Sequence, residues 1–333
     1  MRKTIVAALL LMTATSCGPP QSILHPGGPA ARNLSTIGWV VFILLGAIAL
    51  LMWLLLLWTV LRRRGTLEEH EPYDEGGGQS WIFVGGLAIP LVVLCGLFVF
   101  TLERMTDFPV MNGNLHPEIQ IIGHQFWWEV HYLDGPVNEH FTTANEIHIP
   151  AGKPVDLVLE SADVIHSFWV PGLHGKMQLI PGRQNYLRIE ASQPGEFPGQ
   201  CTQFCGQQHA HMRLLVVAQA PAEYALWRQN QLNPAAEPQD AETMHGRDVF
   251  DNGPCALCHT VRGTPANGKV APDLTHIASR KYIGANSFIN DKADMGGWIT
   301  NAQSFKPGCE MPNLTFFDGQ DLRALTDYLE GLK

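Results

Sequence analysis

The sequence predicts a multidomain membrane protein, in which a hairpin of two transmembrane helices is followed by a β-sandwich and a small all-α domain. Two segments near the N-terminus, residues 39–61 and 81–102, are apolar for more than twenty residues, the length needed to cross the hydrocarbon core of a bilayer. Residues 118–217 alternate between apolar and polar side chains, as short strands do, whereas residues 244–332 show helical spacing.

The composition of the 333-residue chain excludes several classes of protein. The net charge of −9, from 22 Lys and Arg against 31 Asp and Glu, argues against nucleic-acid binding, because such proteins neutralise phosphates with clustered basic side chains. The hydrophobic share of 46% is too high for a disordered chain. Seven unevenly spaced cysteines are too few for a disulfide scaffold. They favour metal or cofactor chemistry.

The N-terminus has the order of a secretory signal. Positive charges at Arg2 and Lys3 precede the apolar run of residues 5–12, and small residues then lead to Cys17. We predict a signal peptide over residues 1–17. A cysteine directly after small residues indicates lipidation at Cys17, with a plain signal peptide as the alternative.

The predicted hairpin covers residues 38–104, and its charges set its orientation. Arg62, Arg63 and Arg64 lie between the two apolar segments, so the positive-inside rule places this loop in the cytoplasm. We therefore expect a multi-pass protein of the bacterial inner membrane, with the N-terminus and the C-terminal domains on the periplasmic or outer face. Pro90 interrupts the second helix, which is tolerated beside neighbouring helices and indicates a larger membrane partner.

Beyond the hairpin, the chain is expected to divide into a β domain over residues 105–220, a linker over 221–240 and an α domain over 241–333. The β domain holds most of the acidic excess. Its predicted strands cover residues 118–122, 146–149, 155–160, 185–189 and 212–217. Predicted helices cover residues 221–230 and 318–332, and residues 231–240, with two prolines, are typical of a tether.

A dense group of metal-binding side chains lies near the end of the β domain. Cys201, Cys205, His209 and Met212 are the soft and borderline ligands that select copper. Two thiolates four residues apart can bridge two copper ions, each of which also needs an imidazole, and His166 is the best candidate for the second one. The alternatives are a Cys201–Cys205 disulfide, as the exported compartment allows, and His211 in place of His209.

Three stretches carry a family resemblance. The string Cys-x3-Cys-x3-His-x2-Met over residues 201–212, the run Asp-Val-Ile-His-Ser over 163–167 and the run Gly-His-Gln-Phe-Trp-Trp over 123–128 resemble subunit II of haem–copper cytochrome c oxidases. The resemblance implies a cupredoxin fold with a dinuclear CuA centre of two copper ions. The residues it implies for that centre are Cys201 and Cys205 as bridges, His166 and His209 as terminal ligands, Met212 and the carbonyl of Gln203 as weak ligands, and Asp163 beside the ligand His166.

Several positions depart from the common family pattern. Gln203 stands where oxidases often carry a glutamate, so the carboxylate of a magnesium site at the subunit I interface is missing. Phe126 occupies the position of the tryptophan that receives electrons in many relatives, and Trp127 or Trp128 are the other candidates for electron entry, with packing of the sandwich as the alternative role for all three. Phe83 falls near a relative's glutamate that is tied to proton entry.

The α domain opens with a motif for covalent haem attachment. In Cys255-Ala-Leu-Cys258-His259 the two thiols would add to the haem vinyl groups and the histidine would bind iron. Met311, in a Met-Pro turn that resembles class I cytochromes c, is the expected second axial ligand, with Met295 as its competitor. Thioredoxin-like and zinc interpretations of the two cysteines are disfavoured by the adjacent histidine and the late methionine.

Three further residues complete the sequence picture. Pro272 resembles the residue whose carbonyl holds the axial imidazole, a bond that fixes the ring orientation. Cys95 and Cys309 have no predicted role beyond packing.

A cytochrome c fused to a CuA domain resembles the caa-type oxidases. The resemblance implies that electrons pass from a donor, such as a cytochrome c or the upstream respiratory chain, through one covalent haem c to CuA and then to subunit I, for oxygen reduction coupled to proton translocation. Subunit I and other membrane subunits are the implied partners. A CuA-containing nitric oxide reductase subunit and a stand-alone electron-transfer protein are the alternatives, whereas quinol oxidase subunits lack these copper ligands.

Overall fold

The computed structural model describes residues 21–62, 78–106 and 117–333. The chain forms two compact units, one over Arg32–Val110 and the other over Met1–Ala31 with Met111–Lys333. The predicted signal peptide with Cys17 and the loop residues Arg63 and Arg64 lie outside the described residues.

The first unit holds two long apolar helical segments, as predicted. Helix α1 covers Pro29–Leu61, and the second segment consists of α2 (Gly78–Phe83), a π-helical turn (Val84–Ala88) and α3 (Ile89–Thr106). Both segments are long and apolar enough to cross a membrane. The π-helical turn lies just before Pro90, which has no N–H and whose ring clashes with the preceding turn. The predicted interruption is therefore a local change of helical geometry.

The second unit begins with a β-sandwich, which confirms the predicted architecture. The strands are β1 Ile119–His124, β2 Trp127–Tyr132, β3 Phe141–Ala144, β4 Glu146–Pro150, β5 Val155–Ser161, β6 His166–Trp169, β7 Met177–Leu179, β8 Asn185–Ile189, β9 Gly195–Cys201 and β10 Arg213–Gln219. They form two sheets with the strand orders β3-β2-β1-β5-β8 and β4-β10-β9-β6-β7. Alternate side chains of both sheets point into one apolar core that includes Trp128 and Phe168.

Helix α4 (Pro221–Leu232) packs on the sandwich, and residues 117–232 are called the β lobe from here on. The indole of Trp227 stacks on the His148 ring with 4.1 Å between the ring centroids. The guanidinium of Arg228 forms ion pairs with Asp134 and Glu139. These contacts hold the first half of the predicted linker against the sandwich.

Residues 233–333 form a second, helical lobe, called the α lobe. The predicted tether packs on it, because the Ala235 N–H donates to the Arg262 carbonyl at 2.8 Å. Helices α5 (Ala241–Asn252) and α8 (Gly319–Gly331) cross where Gly246 meets Ala324, since a Cβ on Gly246 would lie 1.9 Å from the Ala324 carbonyl oxygen. The elements are α5 Ala241–Asn252, α6 Cys255–Cys258, β11 Tyr282–Ile283, β12 Phe288–Ile289, α7 Lys292–Phe305 and α8 Gly319–Gly331.

Candidate functional site

Three neighbouring strands bring the candidate copper ligands together. His166 begins β6, Cys201 ends β9, and β6 pairs with β9 so that Phe168 lies opposite Cys201. Strand β10, which pairs with the other edge of β9, begins directly after Met212. The loop between β9 and β10 carries the remaining candidates. The register of the sheet therefore gathers side chains that lie up to 46 residues apart in the sequence.

The candidate ligand atoms form a compact cluster around two thiols. The Cys201 and Cys205 sulfurs are 3.9 Å apart, which is far beyond the disulfide bond length of about 2.05 Å, and both cysteines are free. The distances from the other candidate atoms to the nearer thiol sulfur are 3.9 Å for His166 Nδ1, 3.2 Å for the Gln203 carbonyl oxygen, 3.7 Å for His209 Nδ1 and 3.9 Å for Met212 Sδ. His211 Nδ1 instead lies 2.7 Å from the Gln208 amide oxygen.

The surroundings favour a thiolate at Cys201 and an oriented imidazole at His166. A hydrogen bond from the Cys205 thiol lowers the pKa of Cys201, and the same bond raises the pKa of Cys205. Burial alone would lower the pKa of His166, but hydrogen bonds to Cys201 and Asp163 raise it. Asp163 Oδ1 lies 2.7 Å from His166 Nε2 and leaves Nδ1 directed at the sulfurs. Two thiols, two imidazoles and a thioether fit copper.

The haem-attachment residues line an apolar cavity of about 320 Å³. Helix α6 places the Cys255 and Cys258 thiols at this cavity, and His259 follows directly. His259 Nδ1 lies 2.8 Å from the Pro272 carbonyl oxygen, which leaves Nε2 as the nitrogen free for a metal. Burial lowers the pKa of His259 and so favours the neutral, metal-binding imidazole.

Both methionines considered as axial ligands, Met311 and Met295, line the same cavity. Met295 is also part of the apolar core of the α lobe, whereas Met311 packs at its edge. Cys309 lines the cavity as a free thiol, and Gln303 Nε2 lies 3.3 Å from its sulfur. The remaining unassigned thiol, Cys95, is exposed on α3.

Arg280 supports the fit of haem to this cavity, and no sequence motif marks it. Its side chain lines the cavity and is buried, and one guanidinium N–H donates to the Asp273 carbonyl oxygen. Within the part of the chain that the structure describes, its buried Nε has no hydrogen-bond partner. A buried donor of this kind needs an acceptor. The two propionate carboxylates of haem are acceptors with the complementary charge.

The β lobe completes the cavity and thereby joins the two candidate sites. Gln125, Phe126 and Trp127 line it together with the haem-attachment residues. The Gln125 side-chain amide donates to the Cys205 carbonyl at 2.6 Å, and the Phe126 ring lies against Gly206, where an added Cβ would meet ring carbons at 3.0 Å. Residues 125–127 are called the shared wall.

The three candidates for electron entry therefore have different surroundings. Phe126 and Trp127 belong to the shared wall, and the Trp127 indole also stacks on the His124 ring with centroids 4.5 Å apart. Trp128 is fully buried in the sandwich core, with its ring centroid 6.0 Å from that of His166. Phe126 is next to both sites, Trp127 is next to the haem cavity, and Trp128 is next to the copper cluster.

Known proteins resemble the chain along its whole length. Residues 135–219 match the family model "Cytochrome C oxidase subunit II, periplasmic domain", and residues 243–333 match the model "Cytochrome c". The cytochrome c oxidase subunit 2 of Alkalihalophilus pseudofirmus is 30% identical, over 98% of this chain and 95% of that protein.

Two further matches are more distant or more partial. The cytochrome c oxidase subunit 2 of Bacillus subtilis is 24% identical, over 100% of this chain and 98% of that protein. The crystal structure of the periplasmic domain of subunit II of the Bradyrhizobium japonicum cytochrome oxidase covers 36% of this chain and 96% of its own, with 29% identity and a TM-score of 0.33. The match to the Alkalihalophilus protein spans both lobes and the hairpin, and the chain belongs to the cytochrome c oxidase subunit 2 family.

Proposed function

We propose that the chain passes electrons from a donor through one covalent haem c to a dinuclear CuA centre, and from there to the haem–copper site of subunit I, where oxygen is reduced to water with proton translocation. In this proposal Cys255 and Cys258 attach the haem, and His259 and Met311 ligate its iron. Bound haem c and copper would each supply a site that accepts and releases one electron at a time.

Family membership gives the general setting of this proposal. The chain is a membrane-anchored electron-transfer subunit of an oxidoreductase complex that contains subunit I, and copper and haem c are its cofactors. The finer assignments are ours: the residues that hold two copper ions, the domain boundaries, a multi-pass topology with both lobes on the periplasmic face, and a donor such as a cytochrome c.

For the copper centre, we assign Cys201 and Cys205 as the bridges and His166 and His209 as the terminal ligands. The support is the arrangement of both imidazole nitrogens within 3.9 Å of a thiol sulfur. Met212 and the Gln203 carbonyl are assigned as the weak ligands of the two copper ions. Met212 Sδ lies near the Cys205 sulfur, and the Gln203 carbonyl oxygen lies near the Cys201 sulfur. A carboxylate for magnesium is missing at Gln203, so we propose no magnesium site there.

The single observation that carries the proposal is the shared wall. Gln125 lines the haem cavity and also donates a hydrogen bond to the Cys205 carbonyl. Its backbone N–H donates to Asp163 Oδ2 at 2.6 Å, and Asp163 holds His166. One residue of the β lobe is thus in contact with the cavity and with both sides of the copper cluster. We infer that electrons cross here, at Phe126 or Trp127.

The test is purification of the complex from solubilised membranes that express this chain. We expect a haem–copper subunit to copurify, with one haem c and two copper ions per chain, and reduction of the haem to be followed by reduction of the copper. A copurified large subunit with nitric oxide reductase activity would instead support the interpretation as a CuA-containing nitric oxide reductase subunit. Isolation of the chain with no large subunit would support the stand-alone alternative and refute the proposal.

A further inference from the structure

Lys306 is a buried lysine at the junction of the two lobes. It follows α7 directly and lies five residues before Met311. Its side chain is 3% exposed. The ammonium donates to the His211 carbonyl at 3.0 Å, to the Gly284 carbonyl at 2.9 Å and to the Phe126 carbonyl at 3.4 Å. Three backbone carbonyls therefore take the three N–H bonds that an ammonium offers.

Two of these acceptors belong to the β lobe, at positions that matter for both sites. His211 lies in the loop between β9 and β10, residues 202–212, which is called the copper loop, and Phe126 lies in the shared wall. In this loop His211 stands between the candidate ligands His209 and Met212. Gly284 belongs to the α lobe. Lys306 thus connects the segment that carries Met311 with the copper loop and with the shared wall at one point.

The burial of this ammonium carries an energetic cost that only good partners offset. Removal of a charged amine from water is unfavourable unless its hydrogen bonds are replaced, and burial lowers the pKa of Lys306 to about 8. Hydrogen bonds from a charged donor are stronger than neutral ones. If the lobes separated, the ammonium would lose its acceptors in the β lobe, so its burial depends on their contact.

Three neighbouring hydrogen bonds also join the α lobe to the β lobe, so they too form only when the two lobes are in contact. Gln208 Nε2 donates to the Pro307 carbonyl at 2.9 Å. The Arg213 N–H donates to the Ala285 carbonyl at 3.3 Å, and the Lys281 N–H donates to Glu146 Oε2 at 2.9 Å. The last two are backbone amides, so their hydrogen exchange reports on the junction.

We propose that Lys306 is a positioning residue, which locks the α lobe against the copper loop and thereby sets the rate of electron transfer between the haem and the copper centre. The inference rests on the proposed function, because it concerns transfer between those two sites. The rate of electron tunnelling falls steeply with the distance between cofactors. By holding the two lobes together, Lys306 would fix this distance.

The variant Lys306→Met tests the proposal. Methionine has a similar length and suits a buried site, but it donates no hydrogen bond, so the carbonyls of His211, Gly284 and Phe126 lose their donor. Replacement of a buried charge by an apolar side chain is often tolerated by the fold. The matched control is Lys292→Met, which removes a more exposed lysine whose ion pair with Asp327 lies within the α lobe.

Two measurements on the detergent-solubilised complex are needed, and the first does not depend on the cofactors. In Lys306→Met, the amides of Arg213 and Lys281 should exchange about tenfold faster, because the loss of one charged hydrogen bond is worth about that factor in an equilibrium. Haem-to-copper transfer after flash reduction should also slow, because a junction that has lost its charged donor holds the two sites farther apart, while the haem and copper spectra are retained. Lys292→Met should change neither.

Each outcome decides something. Unchanged exchange at Arg213 and Lys281 would refute the lock, and faster exchange with an unchanged transfer rate would refute the positioning role. If no electron passes from haem to copper in the unmodified complex, the proposed function and the positioning role both fail, and hydrogen exchange still tests the lock. If Lys306→Met does not accumulate, the unmodified complex decides: a transfer rate that falls with added glycerol would mean that the lobes reorient before each transfer, which refutes the proposal.

Discussion

The substitution Gly246→Ala should destabilise the α lobe by disrupting the crossing of α5 and α8. The added Cβ would lie 1.9 Å from the Ala324 carbonyl oxygen, 2.5 Å from its carbonyl carbon and 2.8 Å from the Tyr328 Cβ. A carbon normally stays about 3.3 Å or more from a carbonyl oxygen, so the helices must separate by about 1.4 Å. The nearest clashing atoms belong to the Ala324 backbone, so no side-chain rotation relieves the contact.

The expected loss of stability follows from overpacking at the helix crossing. Overpacking of a core costs about 1–3 kcal/mol, and more where backbone must move, while the better helix propensity of alanine recovers about 1 kcal/mol. The separation also loosens the contact of Phe250 with Tyr328, whose rings are 6.0 Å apart. A net loss of about 2 kcal/mol corresponds to a midpoint about 8–16 °C lower for a lobe of this size.

The assay is thermal unfolding of the purified complex, followed by the absorption of the haem in the α lobe. Gly296→Ala is the matched control, because this helical glycine has only Thr326 Cγ2 in ordinary contact, at 3.8 Å from the added Cβ. The control should be neutral or slightly stabilising. A Gly246→Ala midpoint equal to that of the unmodified complex would show that the helices adjust without cost, which contradicts the geometric reasoning.

Three further predictions concern the candidate ligands and one half-buried acid. Cys201→Ser and Cys205→Ser should each abolish the two-copper mixed-valence spectrum, because a hydroxyl is not a soft bridging ligand; a variant that retains it would refute the bridging assignment. Met311→Leu should lower the haem potential and open the iron to added ligands, and the same effect from Met295→Leu instead would reassign the ligand. Burial raises the pKa of Glu129, but hydrogen bonds to two histidines lower it to about 2, so its stabilisation is complete above pH 4.5 and is lost as the pH falls through 2. Glu129→Gln should therefore lower the unfolding free energy at pH 5 by up to about 3 kcal/mol, with a difference that closes between pH 4.5 and 2; a constant difference would contradict this.

Five of the ten strands of the sandwich could be predicted from the sequence. The five predicted strands correspond to β1, β4, β5, β8 and β10, within a few residues at each end. Strand β9 was missed because Gly195, Pro198 and Gly199 interrupt its pattern, and β6 and β7 are too short to show a period. Their positions follow from pairing with neighbours that are distant in sequence.

The boundaries of the apolar helices show a related effect. Helix α1 begins at Pro29, ten residues before the predicted apolar segment. The segment from Pro29 to Gly38 is mostly small or polar, so hydropathy does not mark it, although proline at the first helical position favours helix initiation. Hydropathy therefore located the membrane-crossing length and not the helix end.

The site residues that belong to local motifs could be predicted from the sequence, whereas those that depend on long-range contacts could not. The residues of the Cys-x3-Cys and Cys-x-x-Cys-His motifs are close in sequence, so their spacing alone indicates their chemistry. Arg280 and Lys306 had no such signal, because their roles depend on burial and on partners up to 180 residues away. A polar residue of this kind is recognised only when its burial is known.

The shared wall has a genetic consequence. Residues 125–127 contact the haem cavity on one side, and their neighbours Cys205 and Gly206 belong to the copper loop on the other. A lesion there cannot be assigned to one cofactor from its phenotype, and its effect should combine non-additively with lesions in either motif. Alleles of this segment would therefore fall into the same class whether a screen reports haem content, copper content or respiration.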